Sequence, residues 1–217
     1  MSARYRAVVW DIDGVLIDSE PLHLENLVRV CGRYGYAFDE VENRRWLGKS
    51  FAEMWRMMPE LRRLGRSYDE LLDELLDYYV ARVHAGMARP PAPEVVAGLA
   101  RRGVPQAVAS SSPRRIVDAN IAAVGVTAHL GASVAIDDVA HGKPAPDLYL
   151  AAAERLGVAP GDCLAVEDTG TGVAAAKAAG LGVIAWPNEM TAGMDFSRAD
   201  WLIDDLHAFA WDDTVGP

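Results

Sequence analysis

The chain opens on a short apolar run, A-V-V-W, at residues 7–10. Its length and residue types predict a buried strand over about 6–10. Ser19 then stands where a helix N-cap belongs, with Pro21 in the first turn. Leu22, Leu24, Leu27, Val28 and Val30 give the following helix an apolar face as far as Gly35. From there to about Ala88 the spacing stays helical and no strand is predicted. Within that stretch Leu71, Leu72, Leu75, Leu76 and Tyr79 make one stripe, with Glu70, Asp73, Glu74 and Asp77 on the other side as a solvated face.

The pattern changes at residues 88–93, A-R-P-P-A-P, which read as a stiff linker. Beyond it, apolar runs of strand length predict strands at 104–109, 132–136, 163–166 and 182–185, with an edge strand at 201–203. Between them lie helices that begin at Ser112-Pro113 and end at Gly125, and that span 146–156 and 171–179. Strands separated by helices mean βαβ units and a parallel sheet. The expected fold is therefore α/β, a doubly wound parallel sheet with an inserted all-helical domain. The expected boundaries are 1–15 with 89–217 for the core and 16–88 for the insertion, which is expected to lie over the carboxyl edge of the sheet.

Composition narrows the function without naming it. With 217 residues and 51% apolar content, the chain suits one large domain or a core with one insertion. Twenty-one basic residues against 31 acidic ones give a net charge of −10, which argues against a nucleic-acid partner. Cys31 and Cys163 make neither a disulfide framework nor metal-site spacing, and a reducing cytoplasm is expected. The start of the chain lacks the apolar region of a signal peptide, and no apolar run is long enough to span a membrane. A monomer or simple homo-oligomer is expected.

Four groups of reactive residues each follow a predicted core strand. Asp11 and Asp13 come first; in an extended chain such a pair faces one side, at the carboxyl edge where open α/β sheets bind ligands. Close carboxylates repel unless a cation intervenes, and a hard ion such as Mg2+ suits them. Ser110, with Ser111, sits between a strand and a helix, where a hydroxyl and free amides can hold an anion. Lys143 lies in H-G-K-P-A-P-D, and Glu167-Asp168 in A-V-E-D-T-G-T-G. Alone, each has a plainer reading: turn, N-cap or surface lysine. D-x-D-G also occurs in calcium loops, but Val9 would then stand at the first ligand position. L-G-K-S at 47–50 lacks P-loop spacing. Jointly, two sets of carboxylates, a hydroxyl and a lysine on one edge suit a divalent metal and a phosphate group, and hence phosphoryl transfer.

In that order of motifs the chain resembles the haloacid dehalogenase superfamily, in particular its β-phosphoglucomutase-like phosphatases. D-I-D-G-V-L-I-D-S-E matches the first motif, Ser110 the second, Lys143 the third and Glu167-Asp168 the fourth. The resemblance implies that Asp11 is the nucleophile and becomes an aspartyl phosphate, and that Asp13 is the general acid and then the base. It implies that Ser110, Ser111 and Lys143 hold the phosphate. Asp11, Asp13 through its backbone carbonyl, Glu167 and Asp168 would surround Mg2+. The helical insertion corresponds to the family's cap, in which His23, Lys49 and Ser50 are candidate substrate contacts. The expected activity is Mg2+-dependent hydrolysis of a small phosphorylated metabolite, most simply a sugar phosphate. A sugar phosphomutase and a non-catalytic phosphate-binding protein are the alternatives. The dehalogenase branch lacks these metal-binding acids and the second aspartate, and the phosphonate-cleaving branch also lacks that aspartate. In the related mutase an arginine lies a few residues past the cap-loop glycine; here that position holds Phe51.

Overall fold

The structure is a computed structural model that describes residues 4–46 and 50–216. It divides into two compact units, Met1–Asp18 with His84–Pro217, and Ser19–Val83.

The first unit is built on six strands: β1 (Ala7–Trp10), β2 (Gln106–Ala109), β3 (Ala132–Val134), β4 (Cys163–Glu167), β5 (Gly182–Ala185) and β6 (Trp201–Leu202). They form one parallel sheet in the order β3-β2-β1-β4-β5-β6. This is the doubly wound order, and the winding reverses between β1 and β4. Every residue of β1, β2, β4 and β5 is buried, which is why these strands read as continuous apolar runs and not as alternating ones.

Among the described residues of the second unit there are five helices: α1 (Glu20–Arg33), α2 (Glu40–Asn43), α3 (Phe51–Met57), α4 (Pro59–Arg62) and α5 (Tyr68–Val80). No strand occurs there among the described residues. Leu71, Leu75, Leu76 and Tyr79 are the buried stripe of α5. Asn26 of α1 donates to the Leu75 carbonyl at 2.7 Å. Of the acidic face, Glu74 is engaged by Arg33 and by the Tyr34 hydroxyl, and Glu70 closes a capping box with Ser67.

Back in the first unit the helices are α6 (Ala92–Arg101), α7 (Arg114–Ala123), α8 (Asp147–Leu156), α9 (Gly170–Ala178) and α10 (Trp211–Thr214). Two sequence expectations are corrected here. The proline cluster is not all linker: α6 begins at Ala92, with Pro93 in its first turn, where a missing N–H costs nothing. Ser19 precedes α1 but makes no side-chain capping bond, because its backbone is already helical.

α6 also explains a buried glutamine. Gln106 of β2 accepts from the Trp10 indole at 3.0 Å and donates to the Val96 carbonyl of α6 at 2.9 Å. Leaving such a buried group unpaired costs about 1–3 kcal/mol, so this short relay fixes β1, β2 and α6 together. Among the described residues no helix is long and apolar enough to cross a membrane.

Candidate active site

The register of the sheet assembles the site. Trp10 pairs with Val166, and the Asp11 amide donates to the Val166 carbonyl at 3.0 Å. Asp11 therefore stands beside Glu167, the last residue of β4, with Asp168 next. All three are buried, and one carboxylate oxygen from each lies within 4.8 Å of the others. Lys143, its side chain only 8% exposed, reaches between them, 2.5 Å from Asp11 Oδ1 and 2.6 Å from Glu167 Oε1. The Tyr149 hydroxyl of α8 donates to the same Glu167 oxygen at 2.5 Å, and Thr169 Oγ1 donates to Oε2 at 3.3 Å.

The chain packs so tightly here that two glycines have no alternative. A Cβ on Gly14, which has φ +84°, would stand 2.1 Å from Asp168 Oδ2. A Cβ on Gly172, in the first turn of α9, would stand 2.0 Å from the Glu167 carboxyl. Both acids are thus pressed against backbone, not against solvent.

Burial and mutual repulsion dominate the electrostatics. Asp11 is pushed from its ordinary 3.8 to about 8, by desolvation first and then by Glu167, with Lys143 opposing. Asp168 is raised by desolvation, then by Asp11 and Glu167, with Lys143 and Arg89 opposing. Burial alone would depress Lys143, but Asp11 and Glu167 outweigh it and hold the ammonium charged. When all three are ionised, as a bound cation would require, three carboxylates against one directly paired ammonium leave two negative charges uncompensated. In addition, Asp168 Oδ1 is buried with no hydrogen-bond partner. An oxygen-only donor set, an excess of two negative charges and an orphaned carboxylate oxygen together fit a divalent hard cation such as Mg2+.

The two aspartates act on each other electrostatically, Asp13 helping to raise Asp11, but their side chains have different hydrogen-bond partners. Beyond Trp10 the chain leaves the strand: the amides of Val15, Leu16 and Ile17 all turn back to the Ile12 carbonyl. The Asp13 carboxylate instead accepts from Ser112 Oγ at 2.7 Å, Ser110 Oγ at 3.3 Å and Asn120 Nδ2 at 3.2 Å. It takes no part in the three-acid cluster, so any metal role for Asp13 is left to its backbone.

Ser110 is buried at the end of β2 and also accepts from the Ser112 amide at 3.0 Å; Ser111 is half-buried in the same turn. In the helical unit His23 is half-buried and stacks on Tyr79, with ring centroids 4.6 Å apart. Ser50 is the N-cap of α3, and its hydroxyl and amide are shared with Glu53 in a capping box. Lys49 lies outside the described residues. Phe51 stacks on Tyr68 at 5.5 Å.

Sequence reasoning missed Ser112, Asn120, Tyr149 and Asn188. Asn188 donates to Asp168 Oδ2 at 2.8 Å. One signal was present: Asn120 interrupts the apolar face that Ile116, Val117 and Ile121 make on α7.

The pattern of the haloacid dehalogenase-like hydrolases matches residues 5–180. Protein CbbY of Rhodobacter capsulatus is 35% identical over 94% of this chain and 95% of its own. Fructose-1-phosphate phosphatase YqaB of Escherichia coli is 32% identical over 85% of this chain and 97% of its own. The solved structure of CbbY from Rhodobacter sphaeroides in complex with xylulose-(1,5)bisphosphate superposes with a TM-score of 0.80, at 27% identity, over 93% of this chain and 94% of that one.

The raised acids give a pH prediction. Between about 4 and 8 the folded, metal-free protein holds protons that the unfolded chain has released, so this site lowers stability as pH rises. Lys143, raised above its ordinary 10.5, contributes evenly across that window. Mg2+ must displace those protons at low pH and meets bare carboxylates at high pH. Thermal melts should therefore show a larger Mg2+-induced rise in Tm at pH 8 than at pH 5. An equal rise at both would refute the assignment of the cluster to a cation.

Proposed function

The chain belongs to the haloacid dehalogenase-like hydrolase family and is a phosphomonoester hydrolase; we propose that it releases phosphate from a small sugar phosphate, with Mg2+ as cofactor and Asp11 as nucleophile. The observation that carries this reading is the different set of partners around each of the two aspartates. Asp11 sits among Lys143, Glu167 and Asp168, whereas the Asp13 carboxylate accepts from Ser110, Ser112 and Asn120. We read the first as the acid whose charge the cluster neutralises and the second as the one that handles the proton.

Asp11, Glu167 and Asp168 are the side chains that would hold Mg2+, with the Asp13 backbone carbonyl as a further donor. When bound, the ion supplies charge neutralisation for the phosphoryl group. A carboxylate oxygen of Asp11 attacks phosphorus, and the substrate oxygen leaves with a proton from Asp13. The same Asp13 then takes a proton from the water that hydrolyses the aspartyl phosphate. Lys143 is the fixed cation for the phosphate, and the hydroxyls of Ser110 and Ser111 are further donors. Sugar phosphates are favoured because YqaB is named for fructose 1-phosphate and the CbbY structure holds a xylulose bisphosphate. The helical unit takes the part of the family's cap, and a cytoplasmic setting is proposed with it.

Asp11→Asn should abolish turnover, because an amide neither attacks phosphorus nor neutralises the cation. Phosphate release within a few-fold of wild type would remove Asp11 as nucleophile. Asp13→Asn should lower kcat/KM for a sugar phosphate by about 10²–10⁴-fold, the range for a lost acid. The loss on p-nitrophenyl phosphate should be smaller, since nitrophenolate departs without a proton. Equal losses on both substrates would mean that Asp13 does not protonate the leaving group. Finally, a mutase needs a second phosphate site, and Phe51 supplies no charge at the position where the related mutase has arginine. With β-glucose 1-phosphate, inorganic phosphate should therefore appear faster than glucose 6-phosphate. The reverse order would establish the mutase.

A further inference from the structure

Asp168 is gripped on one oxygen only. Asn188 Nδ2 donates to Oδ2 at 2.8 Å, while Oδ1 is buried and unpartnered. The orientation of the Asn188 amide is set independently of Asp168. Its Oδ1 accepts from the backbone amides of Met190 and Thr191 at 2.9 and 3.1 Å, so the nitrogen is the atom turned to the acid. The Thr191 hydroxyl, in a buried residue, accepts from the Asn188 backbone N–H at 3.0 Å and closes the turn on its other side.

The backbone behind this turn is tied to the loop that follows β1. Arg89 donates to the Trp186 carbonyl at 3.1 Å and to the Pro187 carbonyl at 2.8 Å, and also to the Gly14 carbonyl. Its guanidinium lies 3.5 Å over the Trp186 ring. Gly14 in turn is the residue whose missing Cβ leaves room for Asp168 Oδ2, and Asn188 Nδ2 lies 3.0 Å from the same point. Two turns that are far apart in sequence thus converge on one carboxylate oxygen, and Arg89 clamps both.

We propose that Asn188 is a positioning residue for the metal site: by occupying Asp168 Oδ2 it leaves Oδ1 as the oxygen that donates to the cation. The inference rests on the reading of Asp168 as a metal ligand. Hydrogen bonds to the non-ligating side of a ligand fix its orientation, and losing one typically weakens metal binding about 10–100-fold. The other acids are anchored from elsewhere, Asp11 by Lys143 and Glu167 by Lys143, Tyr149 and Thr169. Asp168 has Asn188 as its direct side-chain partner.

The test measures metal binding, not turnover. Mn2+ affinity of the full chain is read by electron paramagnetic resonance, with Mg2+ as competitor, for wild type, Asp168→Asn, Asn188→Ala and Asn188→Ser. Serine retains a hydroxyl to accept from the turn amides but is too short to reach Asp168, so it serves if the alanine variant does not fold. Both Asn188 variants should bind Mn2+ about 10–100-fold more weakly, and Asn188→Ser should keep a metal-free Tm close to wild type. Weakened binding by Asp168→Asn with unchanged binding by the Asn188 variants would overturn the positioning role alone. Unchanged binding by Asp168→Asn would overturn the ligand assignment beneath it. A fall in metal-free Tm with Mn2+ affinity intact would show that Asn188 serves only the turn.

Discussion

The constraint on which the site depends is the burial of three carboxylates side by side at the ends of two adjacent strands. Such a cluster is unfavourable in itself, because each charge loses water and faces its neighbours. The fold offsets this in parts. Lys143 bridges Asp11 and Glu167, Tyr149 and Thr169 complete Glu167, and Asn188 takes one oxygen of Asp168. The remainder is the two negative charges and the orphaned oxygen that a divalent cation would satisfy. The sheet order makes the juxtaposition possible, since β1 and β4 become neighbours only where the winding reverses.

How far this was legible in the sequence depended on the range of the interaction. Strands buried on both faces must be apolar along their whole length, so β1, β2, β4 and β5 could be placed to within a residue or two, and the parallel sheet followed from the helices between them. Reactive residues at strand ends were legible for the same reason: Asp11, Ser110 and the Glu167-Asp168 pair each interrupt or end an apolar run. Lys143 was legible only as a member of that ordered set. α6 was not legible, because prolines that open a helix look the same as prolines that prevent one.

The partners of those residues left one trace in the sequence, the polar Asn120 on the apolar face of α7. Asn120 is 107 positions from Asp13, and only the packing of α7 brings them together. Asn188 stands 20 residues after Asp168, in a turn whose conformation depends on Thr191 and Arg89. The donors that Asp13 meets, Ser110, Ser112 and Asn120, come from the turn after β2 and from α7, which the spacing of Asp11 and Asp13 does not encode. Ser50 has a strictly local role in view, that of helix cap, and the sequence already carried its signature in the Glu three residues on.

The adjacent acids Glu167 and Asp168 read as equivalent in sequence, and the structure makes them unequal. Glu167 is the last residue of β4, and both its oxygens are taken, one by Lys143 and Tyr149 and the other by Thr169. Asp168 lies past the strand end, with one oxygen taken and one open. A carboxylate that already accepts three hydrogen bonds has less to offer a cation, but it can hold a lysine charged in a buried place. A carboxylate with one uncommitted oxygen has the opposite balance. The one-residue step off the end of the strand therefore leaves Glu167 paired with Lys143 and Asp168 with an uncommitted oxygen, so the two acids would contribute unequally to one cation.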